Sequence, residues 1–168
     1  MGQSTDGLLF YGFCPTDEDG KIEDEGWVAP WDEIEDVDSW EDYFAYKKGW
    51  KDTSGYFTPE GEYAFEKGTT ESFEAEKKWR EDREKKSDIL KIPTCEVNSH
   101  CHGECPMPYI CVKESHTSAS RGYPETIDAK VMTDPDKLAE WDQELKAFCD
   151  FMDIKFEQPK WMLASMWW

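Results

Sequence analysis

The stretch Asp134-Pro135-Asp136-Lys137-Leu138-Ala139-Glu140-Trp141-Asp142-Gln143-Glu144-Leu145-Lys146-Ala147-Phe148-Cys149-Asp150-Phe151-Met152 decides the fold class. Its apolar residues Leu138, Trp141, Leu145, Phe148 and Met152 step by 3, 4, 3 and 4, which lays one stripe along a helix. The Asp134 carboxylate suits the N-cap, and Pro135 at the first helical position has no amide to leave unpaired. The spacing predicts an amphipathic helix over 135–153. A helix with one apolar stripe buries it against another layer, and the segments that read as strands supply that layer.

Gly7-Leu8-Leu9-Phe10-Tyr11-Gly12-Phe13-Cys14 is a short apolar run closed by Pro15. Its length and aromatics predict a buried strand near 7–14. Further strands are expected near 89–98 (irregular at Pro93), near 108–115, and near 161–168 in Trp161-Met162-Leu163-Ala164-Ser165-Met166-Trp167-Trp168. The expected architecture is a single α+β domain over 1–168, a mainly antiparallel sheet packed by the C-terminal amphipathic helix. Ser39-Trp40-Glu41-Asp42 has the form of a capping box and starts a short helix to about Lys47, stopped at Gly49. The Gly- and aromatic-rich residues 49–68 read as loop or hairpin. Between Glu71 and Lys86 the pairs Glu74/Lys78, Glu76/Arg80 and Glu81/Lys85 stand four apart. Only Phe73 and Trp79 offer apolar grip there, so 71–86 reads as a largely solvated helix.

The 168 residues hold 38 Asp+Glu against 19 Lys+Arg, a formal net charge of −19, with 15% aromatics and nine Trp. Mean hydropathy is −0.84. Disordered chains are poor in aromatics, so the composition describes an aromatic core beneath a very acidic surface. Residues 16–42 carry 13 acids and one base, Lys21, a net of 1 − 13 = −12. Trp27, Val28 and Trp31 interrupt this acidic surface segment and should pin it to the core. Such a field repels phosphate backbones and anionic membranes, so neither direct nucleic-acid binding nor membrane binding is expected; basic proteins are the favoured partners. The residues expected to meet such a partner are Asp17, Glu18, Asp19, Glu23, Asp24, Glu25, Asp32, Glu33, Glu35 and Asp36, with Trp27 and Trp31 as anchors. Three readings stand: a solvated surface that maintains solubility, a docking face for a basic protein, and a docking face whose carboxylates imitate a phosphate track.

The first residues show neither the basic region nor the apolar run of a secretory signal, and Asp6 stands where a myristoylation signal needs Ser or Thr. A cytoplasmic location with six reduced cysteines is expected; Cys14 and Cys149 read as small buried residues. Cys95-x5-Cys101-x3-Cys105-x5-Cys111, with His100, His102 and His116 close by, offers tetrahedral zinc an alternative donor set, but without a Cys-x2-Cys knuckle. Cys101 as a nucleophile would need His100 or His102 beside it, whereas neighbours on a strand point to opposite faces. The oxygen-rich Asp17-Glu18-Asp19-Gly20 and Glu23-Asp24-Glu25-Gly26 lack the spacing of a calcium loop. The expectation is a binding protein without catalysis, bound metal or cofactor.

Three stretches resemble one family. Met1-Gly2-Gln3-Ser4-Thr5-Asp6-Gly7-Leu8-Leu9-Phe10-Tyr11-Gly12-Phe13 is one of them. The second comprises His100-Cys101, Pro106-Met107, Tyr109-Ile110 and Arg121-Gly122-Tyr123-Pro124. The third is Pro159-Lys160-Trp161-Met162-Leu163-Ala164-Ser165-Met166-Trp167. Together they are similar to a family of small uncharacterised proteins of phages and actinobacteria. That family opens on Ser-Thr-Asp-Ala and Tyr-Gly-Tyr and closes on Pro-Gly-Trp and Ser-Tyr-Trp. The chain departs from it at Met166, where the family has Tyr, and in the extra His102 and Cys105. The resemblance implies an intracellular, often phage-encoded protein and no particular reaction. It also weakens the zinc alternative, because the family's middle segment keeps only the His-Cys pair. Joined to the acidic segment, it implies inhibition of a basic, nucleic-acid-binding host protein, a defence enzyme among the candidates.

Overall fold

The run from Gly7 to Phe13 lies in a strand that organises the first of two compact units, Met1–Pro30 with Pro93–Trp168; Cys14 follows just beyond the strand, and the second unit is Trp31–Ile92. The computed structural model describes residues 5–16, 27–35, 37–58, 62–102, 105–120 and 122–167. In chain order the elements are β1 (Thr5–Phe13), α1 (Trp40–Lys47), α2 (Thr70–Ile89), β2 (Cys95–His102), β3 (Cys105–Val112), a 3-10 turn (Lys113–Ser115), β4 (Thr117–Ala119), α3 (Ala129–Thr133), α4 (Pro135–Met152) and β5 (Lys160–Trp167). The fold is α+β, with a mainly antiparallel sheet of order β3-β2-β5-β1-β4.

In the first unit β1 is paired along both edges. One edge runs against β5 from Thr5↔Trp167 to Gly12↔Lys160. The other is shared, with Gly7–Leu9 against β4 and Gly12–Phe13 against β3. β2 pairs β3 over its whole length and meets β5 in a short parallel contact, Cys101↔Met166 and His102↔Trp167. The pairings β1–β5–β2–β3–β1 therefore form a closed circuit, which leaves few unpaired edges. Both faces of β1 are covered, which is why it reads as a continuous apolar run without alternation. Leu8 and Phe10 join Tyr109 and Cys111 in one cluster, with Met162, Ala164 and Met166 packed against it. Phe10 stacks on Tyr109 with ring centroids 4.1 Å apart. On the opposite face Tyr11 meets Trp141 and Trp161, each at 5.6 Å, and its hydroxyl donates to Asp142 Oδ1 at 2.8 Å.

Four residues of the α4 stripe, Trp141, Leu145, Phe148 and Met152, are buried with Cys149 beside them, while Leu138 at the start of the stripe is half-buried; the helix packs on β2 and β3. Each such side chain contributes about 1.5–3 kcal/mol of transfer free energy. Asp134 caps the helix by accepting from the amides of Asp136 and Lys137. Asp153 ends it in the left-handed region, φ 56°. Two short elements, β4 and α3, go beyond the sequence expectations.

In the second unit Ser39 caps α1, accepting from the Asp42 amide at 3.2 Å and donating to its carboxylate at 2.6 Å. Thr69 caps α2 through the Ser72 amide. Helix α2 extends to Ile89, so the expected strand over 89–98 begins only at Cys95. The Leu90 amide still bonds the Lys86 carbonyl, and Pro93 has no donor with which to start pairing. Phe73, expected to grip, is 62% exposed. The grip comes instead from Asp82, 5% exposed, which accepts from the Thr53 amide (3.0 Å), the Thr53 hydroxyl (2.9 Å) and Lys85 (3.3 Å). Trp50 Nε1 donates to the Asp82 carbonyl at 2.8 Å. Among the described residues of 49–58 and 62–68, Phe57 and Tyr63 pair in a β-bridge, and Tyr56 and Phe57 pack on Trp79.

At Gly12 the strands approach closely: a Cβ there would lie 1.9 Å from the Ile110 carbonyl oxygen. Backbone cannot yield as a flexible side chain does, so Gly12→Ala should lower stability by about 3 kcal/mol in urea unfolding. The Asp82 carboxyl is held below its ordinary value of 3.8, first by the Thr53 amide and then by the Thr53 hydroxyl. A depressed carboxyl pKa stabilises fully above the unfolded value and is lost as pH falls through the folded one. Stability should therefore drop on acidification below about pH 4, and Asp82→Asn should flatten that part of the stability–pH curve.

Candidate functional site

Of the acidic residues expected to contact a partner, Asp17, Glu18, Asp19, Glu23, Asp24, Glu25 and Asp36 lie outside the described residues. Asp32, Glu33 and Glu35 are exposed, and Trp27 is half-buried. Trp31 is only 7% exposed, its ring 5.9 Å from that of Tyr43, so it packs inward and is no surface anchor. Glu35 also borders a cavity of about 560 Å³ in the second unit, beside Asp38, Asp42 and Lys86. The Lys86 ammonium pairs with Asp42.

The cysteines divide into two groups. Cys95 and Cys111 sit at the β2–β3 end where Cys95↔Val112 and Glu96↔Cys111 pair; Cys101 is opposite Pro106 at the other end. About 20 Å of extended strand separates Cys95 from Cys101, so Cys95, Cys101 and Cys111 cannot share one zinc ion. The side chains of His102 and Cys105 lie outside the described ones. His116 is already engaged, Nδ1 3.2 Å from Glu96 Oε1 and Nε2 3.2 Å from the Tyr109 hydroxyl. That contact with His116 holds the Glu96 carboxyl below its ordinary range. Among the described residues no three His, Cys, Asp or Glu side chains are gathered to hold a metal.

The other end of the hairpin corrects the sequence expectation for Cys101. His100 and Cys101 do not point to opposite faces, because Cys101 has φ 72°. A left-handed residue breaks the alternation of a strand. His100 Nδ1 comes to 3.0 Å from Cys101 Sγ, and the Met107 thioether lies 3.3 Å from the same sulfur. On the far side of the imidazole, Nε2 is 3.9 Å from Cys14 Sγ. Burial lowers the His100 pKa and so favours the neutral ring; burial likewise raises the Cys14 thiol. These four side chains border a mostly apolar pocket of about 590 Å³. Met107 and Cys14 carried no sequence signal for this site. Met107 faces His100 only through the hairpin register, and Cys14 arrives from the end of β1.

Burial pushes the thiols of Cys95 and Cys149 up to about 12 and that of Cys111 higher still. Only the thiolate reacts with alkylating agents. Iodoacetamide labelling of the native protein, read by peptide mass spectrometry, should modify Cys101 while Cys95, Cys111 and Cys149 stay unmodified until the protein is unfolded. Among the described residues no helix is long and apolar enough to cross a membrane. In comparisons with known proteins, no family model, no curated protein and no solved structure matches this chain.

Proposed function

We propose that this protein is a non-enzymatic binding protein that docks an acidic surface on a basic, nucleic-acid-binding protein and blocks it. The observation that carries this reading is the net −12 over residues 16–42. The exposure of Asp32, Glu33 and Glu35 supports it. Opposite fields speed encounter and align surfaces before short-range contacts form. Carboxylates that occupy a groove built for phosphates act as a nucleic-acid mimic, and nucleic acid then competes for the same groove. The resemblance to phage proteins makes the partner a host protein, a defence enzyme among the candidates, and the place of action the host cytoplasm. With Trp31 turned inward, the contact falls to the carboxylates and to Trp27.

The test is affinity capture from bacterial lysate with the native chain and with Asp32→Lys, Glu33→Lys, Glu35→Lys and Asp36→Lys combined. A basic partner should be retained at low salt, displaced by added DNA, and lost at about 1 M salt, where screening acts within about 3 Å. The fourfold reversal should abolish capture, while each single reversal should weaken it only slightly, because exposed charges act weakly alone. Capture of no basic protein, or capture indifferent to salt and to the reversals, would leave the acidic segment as a solvated surface.

A further inference from the structure

The turn end of the β2–β3 hairpin brings together three donors of one chemical character. Cys101 Sγ is 3.0 Å from His100 Nδ1 and 3.3 Å from Met107 Sδ. His100 and Met107 are cross-strand partners, so the donors sit on a single paired framework. We propose that His100 Nδ1, Cys101 Sγ and Met107 Sδ form a binding site for a soft monovalent metal ion, Cu(I).

The donor set selects the ion. Thiolate and thioether sulfur favour Cu(I), and imidazole accompanies them readily. Zinc takes four nitrogen, sulfur or carboxylate ligands, and among the described residues no third His, Cys, Asp or Glu completes such a group here. Cu(I) is satisfied by three ligands and does not need water as a fourth, which suits a pocket walled by Met162, Leu163 and Ala164. A metal held at about 2.0–2.3 Å from nitrogen and sulfur separates its ligands by about 3.5–4 Å. The observed 3.0 and 3.3 Å need to open by roughly 0.2 to 1.0 Å to reach that separation, within reach of side-chain rotation.

The surroundings prepare the ligands. A neutral imidazole is the binding form, with one ring nitrogen free to take the metal and the other carrying the proton. With the metal on Nδ1, the proton resides on Nε2, which points to Cys14 Sγ at 3.9 Å. A hydrogen bond from the second ring nitrogen fixes the tautomer and the ring orientation. The left-handed backbone of Cys101, φ 72°, is a conformation that side-chain-bearing residues adopt at an energetic cost and that recurs at functional positions. Here it turns the thiol to the same side as the imidazole. On binding, the Cys101 thiol releases its proton to solvent and the sulfur–metal bond forms, with no change in oxidation state.

The test is an anaerobic titration of the full chain with Cu(I) buffered as its bicinchoninate complex, and with Ag(I) as a redox-inert second probe. The native protein should withdraw one equivalent of either ion. X-ray absorption at the copper edge should show one nitrogen and two sulfur neighbours. Cys101→Ser should weaken binding by more than about 100-fold, beyond the loss caused by removing an outer-shell partner. Met107→Leu conserves volume, keeps the fold, and should weaken binding by about 10-fold, so the proposal stays testable even if Cys101→Ser misfolds. The proposal is overturned if the native protein takes up no Cu(I). It is equally overturned if uptake is unchanged in Met107→Leu and in a folded Cys101→Ser, which would assign the metal to other thiols. One equivalent of zinc bound at Cys101 in preference to Cu(I) would also overturn it.

Discussion

The first unit depends on how closely β1 and β3 approach at Gly12. There the Ile110 carbonyl occupies the space a side chain would fill. Because β1 can come that near, its edge serves β3 and β4 in succession while its other edge serves β5. The circuit then closes through the short parallel contact of β5 with β2. A strand paired along most of both edges leaves little polar backbone to solvate. That is the physical reason the run from Leu8 to Phe13 can be so apolar without creating an exposed sticky edge.

The second unit is held in a different way. Helix α2 presents mostly charge, and its one large outward aromatic, Phe73, is exposed. A buried carboxylate, Asp82, ties the helix to the loop at Thr53, while the neighbouring Asp82 carbonyl receives the Trp50 indole. A buried carboxylate is tolerated only when its oxygens are satisfied, and here three donors meet it. The exposed pairs along α2, such as Arg80 with Glu76, add little by comparison, since solvent screens them.

The cysteines show how one residue type takes different roles according to where the sheet places it. Cys95, Cys111 and Cys149 are fully buried, with thiols raised by burial; they act as small apolar side chains. Cys101 is half-buried beside an imidazole and a thioether. The difference comes from backbone geometry at one residue, since strand alternation would have sent His100 to the opposite face.

The sequence by itself determined the elements whose signals are local. The stripe of α4 with its Asp134 cap, the Ser39 cap of α1, the apolar run of β1 and the apolar closing strand β5 each follow from periodicity or capping within a few residues. The class, α+β with a mainly antiparallel sheet, followed from those elements. Tertiary structure decided what depends on partners distant in sequence. Strand β2 starts at Cys95 because α2 continues to Ile89. Asp82 is read from sequence as one acid among many and becomes an anchor only when Thr53 arrives from 29 residues away. The site at His100, Cys101, Met107 and Cys14 likewise could not be read from spacing. It requires the hairpin register, the end of β1, and a positive φ at Cys101, a residue type that does not announce one in advance.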